Sequence, residues 1–275
     1  MIVKTKTKSL NLAERTHIMG ILNVTPDSFS DGGSYTTVEK AVAQAVRMAE
    51  EGADIIDIGG ESTRPGHTPV SAQDEISRIV PAIKAIKEKL NIPISVDTFK
   101  AETAEAAIEA GADIINDIWG AKKDPAIAEV VAKHNVPIIL MHNRTNEDYQ
   151  DLILDMIQDL KESIKIAKDA GVPEHHIIID PGIGFAKSRE DDLMVMQKLE
   201  MFQQLPYPLL LATSRKRMIG HVLDVQPDAR DYGTGATTCL GITKGASIVR
   251  VHNVKVNADI ARMTDAMLGK GVYNG

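Results

Sequence analysis

The chain has 275 residues, is 43% hydrophobic and 25% charged, and carries a net charge of −7. These values suit a soluble α/β protein and leave no Lys/Arg-rich footprint for nucleic acid. The single cysteine, Cys239, excludes an internal disulfide or a cysteine zinc cluster, and no apolar run reaches the ~18–20 residues of a membrane-spanning helix.

In chain order, residues 1–12 alternate as a short strand or hairpin, and Lys4, Lys6 and Lys8 are not followed by the apolar run of a signal peptide. Short apolar runs then predict strands at 17–23, 54–58, 93–97, 113–118, 136–141, 176–180, 208–213 and 247–251. Amphipathic stretches between them predict helices at 38–51, 72–90, 100–110, 124–134, 151–170 and 190–204. The strand runs are almost continuously apolar, as expected of parallel strands buried on both faces. A β–α unit repeated about eight times over ~250 residues predicts a (β/α)8 barrel with a short N-terminal strand or hairpin. The run Gly52-Ala53-Asp54-Ile55-Ile56 returns as Gly111-Ala112-Asp113-Ile114-Ile115, each glycine ending a helix just before a strand. With no Pro/Ser/Gly-rich linker, residues 1–275 read as one domain. An open doubly wound sheet is the competing fold, but the loop after the first strand lacks the G-x-G-x-x-G pattern. Cys239, in an apolar helical stretch, reads as a buried small hydrophobe.

In a barrel of this kind the chemistry gathers at the C-terminal strand ends. Those ends are Asn23, Asp57, Asp97, Asn116, His142, Asp180, Ser214 and then Arg250 with His252. Any one of them serves equally as a helix cap or strand-end ion pair, and Asp57 and Asp117 fit that bland role well. The set as a whole is informative, because polar groups converging on one mouth must each be hydrated or paired. Asp97 and Asp180 follow strongly apolar runs, and with Asn116 they offer a floor suited to a flat heterocycle with an amidine-like N–H edge. Ser214-Arg215-Lys216-Arg217 and Arg250-Val251-His252 predict an anion corner after strands seven and eight, where such barrels commonly bind phosphate. Arg250 and His252 share one strand face. Arg215 and Arg217 fit a solvated basic turn as well as they fit a site. Two polar loops, 25–33 and 59–66, are rich in Gly, Ser, Thr and Asp, and in the first Phe29 suits a cover over something flat.

These residues also carry a family resemblance. The stretch Gly20-Ile21-Leu22-Asn23-Val24-Thr25-Pro26-Asp27-Ser28-Phe29-Ser30-Asp31-Gly32-Gly33 resembles the first signature of dihydropteroate synthases, and Asp57-Ile58-Gly59-Gly60-Glu61-Ser62-Thr63-Arg64-Pro65-Gly66 the second. Ser95-Val96-Asp97-Thr98, Ile115-Asn116-Asp117, Asp180-Pro181-Gly182-Ile183-Gly184-Phe185, Thr213-Ser214-Arg215-Lys216 and Arg250-Val251-His252 follow in order. The resemblance implies condensation of 6-hydroxymethyl-7,8-dihydropterin diphosphate with p-aminobenzoate in folate synthesis, by a dissociative, SN1-like step. It implies Mg²⁺ on Asn23, and a pterin held by Asp97, Asn116, Ile118, Met141, Asp180, Phe185 and Lys216. It places the diphosphate at Asn23, Thr63, Arg250 and His252, and p-aminobenzoate at Phe29, Thr63, Pro65, Phe185 and Lys216. Asp31 and Arg64 would brace the closed loops as part of the catalytic set with Asp97, Asp180 and Lys216.

Cytoplasmic location, a homodimer through late outer helices, and sensitivity to sulfonamides are implied too; no nucleic-acid or membrane partner is. Arg217 departs from the serine that many members carry after the lysine. A pterin-binding methyltransferase domain and a non-catalytic pterin-binding scaffold are the alternatives, and the intact loop motifs around Phe29, Asp31, Thr63 and Arg64 speak against both.

Overall fold

The computed structural model describes residues 1–25, 34–61 and 70–271. Two short strands, β1 (Ile2–Lys4) and β2 (Ser9–Asn11), pair antiparallel. Eight parallel strands follow: β3 (His17–Asn23), β4 (Ile55–Gly59), β5 (Ile94–Asp97), β6 (Ile114–Asp117), β7 (Ile138–Met141), β8 (Ile177–Asp180), β9 (Leu209–Leu211) and β10 (Ala246–Val251). They close into a barrel in which β10 pairs with both β9 and β3. This is the fold that the sequence alternation predicts.

The helices α1 (Ser34–Glu50), α2 (Ala72–Lys89), α3 (Ala101–Ala110), α4 (Ala126–His134), α5 (Leu152–Asp169) and α6 (Arg189–Gln197) cover the first part of the barrel. After β9 come two helices, α7 (Arg217–Leu223) and α8 (Asp231–Thr243), and α9 (Val254–Met267) follows β10. The helix predicted over 190–204 is broken. Lys198 leaves helical geometry (φ −114°, ψ 21°), and Leu199–Gln204 continue as a 3-10 helix. Cys239, read as buried, is half-buried on α8, where one helix face still meets solvent.

Strand periodicity divides the side chains into two sets. Ile56, Ile58, Ile94, Val96, Ile115, Ile138, Leu140, Ile177, Ile179, Val249 and Val251 pack outward into the larger apolar core against the helices. Their strand neighbours Met19, Ile55, Ile114, Ile139, Ile178, Leu210 and Ile248 pack together inside the barrel, with Val3, Leu10 and Leu12. The hairpin therefore plugs the N-terminal end of the lumen. Its turn is anchored there: Thr7 N–H donates to Asp113 at 2.9 Å, one residue before β6.

The repeated Gly-Ala-Asp-Ile-Ile run has a mechanical explanation. Gly52 and Gly111 adopt positive φ (104° and 118°) at the end of their helices. The following aspartates then reach sideways to the preceding strand. Asp54 accepts from Ile18 N–H and Asp113 from Ile94 N–H, both at 2.9 Å. Asp113 is fully buried and ion-paired to Lys87 at 2.6 Å. At the seam, Asp265 of α9 accepts from Thr16 N–H (2.7 Å) and Oγ1–H (2.9 Å), tying the last helix to the entrance of β3.

Removing a partner from a buried pair leaves the other charge and its donors unsatisfied. Asp113→Ala is expected to cost about 3 kcal/mol of stability. Urea unfolding checks this, and a loss below ~1 kcal/mol would remove Asp113 from the set of anchors.

Candidate active site

The same alternation that fills the lower lumen with isoleucine fills its upper end with polar groups. Asp57 lies two residues beyond Ile55, Asn116 two beyond Ile114, Asp180 two beyond Ile178 and Arg250 two beyond Ile248, so each points into the barrel. Strand pairing sets Asp57 beside Ser95, Asp97 beside Asn116 and Met141 beside Asp180. Asp57, Asp97, Asn116, Asp180 and Arg250 thus converge on one mouth, whereas His142, also predicted there, turns outward to Asp159 of α5 at 2.9 Å because it shares the outer strand face with Leu140.

Arg250 organises the floor. Its Nε donates to Asp57 Oδ2 at 2.6 Å and its Nη2 to Asp97 Oδ2 at 2.7 Å. Asn116 Nδ2 donates to the same Asp57 oxygen at 3.4 Å. Both carboxylates and Asn116 are buried. Among the described residues, Asp57 Oδ1, Asp97 Oδ1 and Ser95 Oγ are buried without a hydrogen-bond partner. Buried acceptors of that kind are costly unless a ligand supplies the donors. The sequence leaves Asp57 open between a strand-end polar group and a structural carboxylate, and gives Ser95 no role beyond its place in a motif. Asp117, by contrast, faces outward and accepts from the N–H groups of Trp119 and Ala121 at 2.7 Å each, the structural one of the two roles open to it.

Burial pushes the Asp97 carboxyl well above its ordinary range, to about 7, with Arg250 opposing the shift and Asp57 adding to it. Burial likewise raises Asp180, although Lys216 and the Gly182 N–H draw it back. Burial lowers Lys216 to about 8 against the pull of Asp180. Burial also works against the Arg250 charge, but Asp57 and Asp97 together hold it above its ordinary value. Three carboxylates, Asp57, Asp97 and Asp180, thus surround two cations, Arg250 and Lys216. The excess of acceptors suits a ligand edge that donates N–H groups.

Apolar walls flank this floor. Ile118 and Met141 are buried yet belong to neither hydrophobic core cluster, which leaves them lining the mouth. Phe185 lies under Lys216, whose Nζ is 4.8 Å from the ring centroid and donates to the Ile183 carbonyl. At the anion corner, Ser214 Oγ contacts His252 Nδ1 at 2.9 Å and accepts from His252 N–H at 3.1 Å, which fixes the imidazole. Asn23 is exposed at the end of β3 beside Gly59. A Cβ on Gly59 would lie 3.4 Å from Asn23 Oδ1, so the glycine leaves that oxygen open. One exposed amide oxygen at the strand end fits Mg²⁺, which keeps most of its waters and takes few protein ligands.

The basic turn divides. Arg215 forms a two-pronged pair with Asp231 (2.8 and 3.0 Å) and is architectural, whereas Arg217 is exposed on the wall of a cleft of about 370 Å³. Sequence reasoning missed Lys187, a lysine beside a helix cap that looks like any surface residue but is buried next to His142. Phe29, Asp31, Thr63, Arg64 and Pro65 lie outside the described residues.

A closed (β/α)8 barrel with a buried carboxylate–amide floor and a cationic corner at its C-terminal mouth defines a barrel enzyme for a flat, anion-bearing ligand. Residues 19–252 match the pterin binding enzyme family, and the chain belongs to that family. It is 60% identical to a dihydropteroate synthase of Bacillus subtilis over 275 residues, covering 100% of this chain and 96% of that protein. Its fold is similar to a Clostridium difficile dihydropteroate synthase solved in the presence of pteroic acid (TM-score 0.92, 48% identity, 94% of this chain and 98% of that one). It is also similar to a Yersinia pestis dihydropteroate synthase solved with a sulfonamide drug complex (TM-score 0.91, 37% identity, 98% and 99% covered).

Because Arg250 bridges Asp57 and Asp97, it supports the fold as well as any bound anion. Arg250→Ala should destabilise the protein by about 3–5 kcal/mol at pH 8. Burial already raises the Asp97 carboxyl, and without the guanidinium that opposes the rise it titrates higher still in the folded state. The folded variant then takes up the Asp97 proton at a higher pH than the unaltered protein does, so the deficit shrinks as pH falls from 8 toward about 7 and levels off below it. Denaturation midpoints between pH 8 and pH 6 test this, and a pH-independent deficit contradicts it.

Proposed function

We propose that this chain is a dihydropteroate synthase of folate biosynthesis, which joins 6-hydroxymethyl-7,8-dihydropterin diphosphate to p-aminobenzoate and releases pyrophosphate. The observation that carries this reading is the pair of unpartnered buried carboxylate oxygens, on Asp57 and Asp97, beside the Arg250 guanidinium. The 2-amino-pyrimidinone edge of a pterin supplies the missing N–H donors. Asn116 and Asp180 complete the floor, and Ile118, Met141 and Phe185 bound the ring faces.

In the reaction, the C–O bond between the pterin methylene and the diphosphate breaks, and its electron pair leaves with the diphosphate. The pterin ring delocalises the cation so formed, and the preorganised carboxylates Asp97 and Asp180 stabilise it electrostatically. The p-aminobenzoate nitrogen then forms the C–N bond, and its proton passes to water or released pyrophosphate. Arg250 and His252 receive the diphosphate together with Thr63. Asn23 would hold Mg²⁺, which when bound neutralises leaving-group charge. Lys216 sits between the two substrates, while Phe29, Thr63 and Pro65 contact the amine and Asp31 and Arg64 brace the loops.

The same reading includes a cytoplasmic, one-domain protein acting as a homodimer. Among the described residues, α8 and α9 expose Tyr232 (93%), Met263 (60%) and Met267 (63%), with Leu240 and Val256 nearby in sequence. Large apolar side chains exposed on two neighbouring outer helices suit a buried interface. Light scattering should return about twice the 29.8 kDa chain mass, and Tyr232→Asp with Met263→Asp should shift it to one chain. A monomer in the unaltered protein rejects the dimer.

The activity is tested by pyrophosphate release on mixing both substrates with Mg²⁺, with sulfamethoxazole competing against p-aminobenzoate. Asp97→Asn should lower turnover by about 10²–10³ while the protein stays folded. Absence of pyrophosphate release from the unaltered chain would leave a non-catalytic pterin binder. A full rate in Asp97→Asn would remove that residue from the mechanism.

A further inference from the structure

The loop after β8 carries Phe185 and the carbonyl that receives Lys216, yet its backbone is held in an unusual shape. Three of five consecutive positions have positive φ: Gly182 (66°), Gly184 (83°) and Ala186 (47°). A Cβ at Gly182 would fall 2.0 Å from the His142 carbonyl oxygen, so only glycine passes there. Ala186 has no such exemption, and its left-handed conformation persists only if its surroundings impose it.

The polar partners of this loop are accounted for one by one. Gly182 N–H donates to Asp180 Oδ1 at 2.7 Å, and Gly184 N–H donates to buried Asp192 at 2.6 Å. The carbonyls are taken by two lysines. Lys216 donates to Ile183, and Lys187 donates to Gly182 at 3.0 Å and to Phe185 at 2.8 Å. The third Lys187 donor goes to His142 Nδ1 at 2.9 Å. An ammonium has three donors, and this one spends all of them on the loop and the adjoining strand end. His142 can accept because Asp159, 2.9 Å from Nε2, fixes the tautomer that leaves Nδ1 bare. Burial lowers the His142 pKa to about 4, which keeps the ring neutral. Lys187 itself is buried, and burial lowers it to about 7.

A buried lysine that contacts only backbone and a neutral histidine needs a reason. Asp180 is fixed by β8 itself through strand pairing with β7. Residues 183–186 have no such pairing, and Lys187 joins the two ends of that stretch. Resting on the proposed function, we infer that Lys187 is a positioning residue for the arylamine side of the site. It sets Phe185 and the Ile183 carbonyl, and through them Lys216, while leaving the pterin floor to the strands.

The experiment compares the unaltered enzyme with Lys187→Met, Phe185→Ala and the double variant. Lys187→Met should raise KM for p-aminobenzoate at least tenfold and change pterin-diphosphate affinity less than threefold. In the Phe185→Ala background it should add less than twofold, because coupled residues are not additive. Hydrogen exchange at the Ile183, Gly184 and Phe185 amides should rise at least tenfold with the barrel strands unchanged, a readout that needs no substrate. Should Lys187→Met fail to fold, Lys187→Arg keeps the charge but misplaces it, and should show the same pattern at smaller amplitude. Equal losses for both substrates, additive effects or unchanged exchange overturn the inference. Failure of the unaltered chain to release pyrophosphate, with exchange behaving as expected, overturns the proposed function alone.

Discussion

The guanidinium of Arg250 is the interaction on which the upper half of this barrel depends. It spans from β10 to β4 and β5, holding Asp57 at 2.6 Å and Asp97 at 2.7 Å in a place where neither carboxylate would be tolerated alone. Two buried carboxylates around one cation leave a negative excess and two unused acceptor oxygens. The floor is therefore stable enough to fold and still unsatisfied enough to bind. A ligand that brings N–H donors completes it, and a ligand without them leaves the penalty in place.

The lower half of the barrel makes that arrangement affordable. Isoleucine and leucine side chains fill the lumen below the polar layer, and the β1–β2 hairpin closes the end with Val3, Leu10 and Leu12. Water cannot approach the floor from beneath, so Asp97 and Lys216 feel a medium that favours their neutral forms. Electrostatic groups held in such a medium act more strongly on a developing charge than the same groups in water. The apolar plug and the site chemistry are thus one design.

The loop after β8 solves a different problem. A strand can fix the residue at its end, but a contact two or three residues beyond needs another source of order. Here the order comes from two lysines that take the carbonyls of Gly182, Ile183 and Phe185, with His142 and Asp159 behind one of them. The polar mouth consequently has a part fixed by strand pairing and a part fixed by side-chain clamps.

Much of this was legible in the amino-acid order alone. Near-continuous apolar runs separated by amphipathic stretches are local properties, so they reveal the strands, the barrel and the strand-end positions of Asp97, Asn116, Asp180 and Arg250. The repeated Gly-Ala-Asp-Ile-Ile run marks helix ends for the same reason, since a left-handed cap is a one-residue requirement. Tertiary structure alone decided the pairing. Arg250 lies 193 residues from Asp57 and 153 from Asp97, and only barrel closure, with its fixed stagger of strands, brings them together. It also decided that Lys187 is buried while its neighbour Arg189 is exposed, and that Asp57 faces the barrel mouth beside Arg250 whereas Asp117 faces outward onto the Trp119 and Ala121 amides. Burial and long-range partnership arise from how the closed sheet and its loops pack, and a single residue type carries no signal of either.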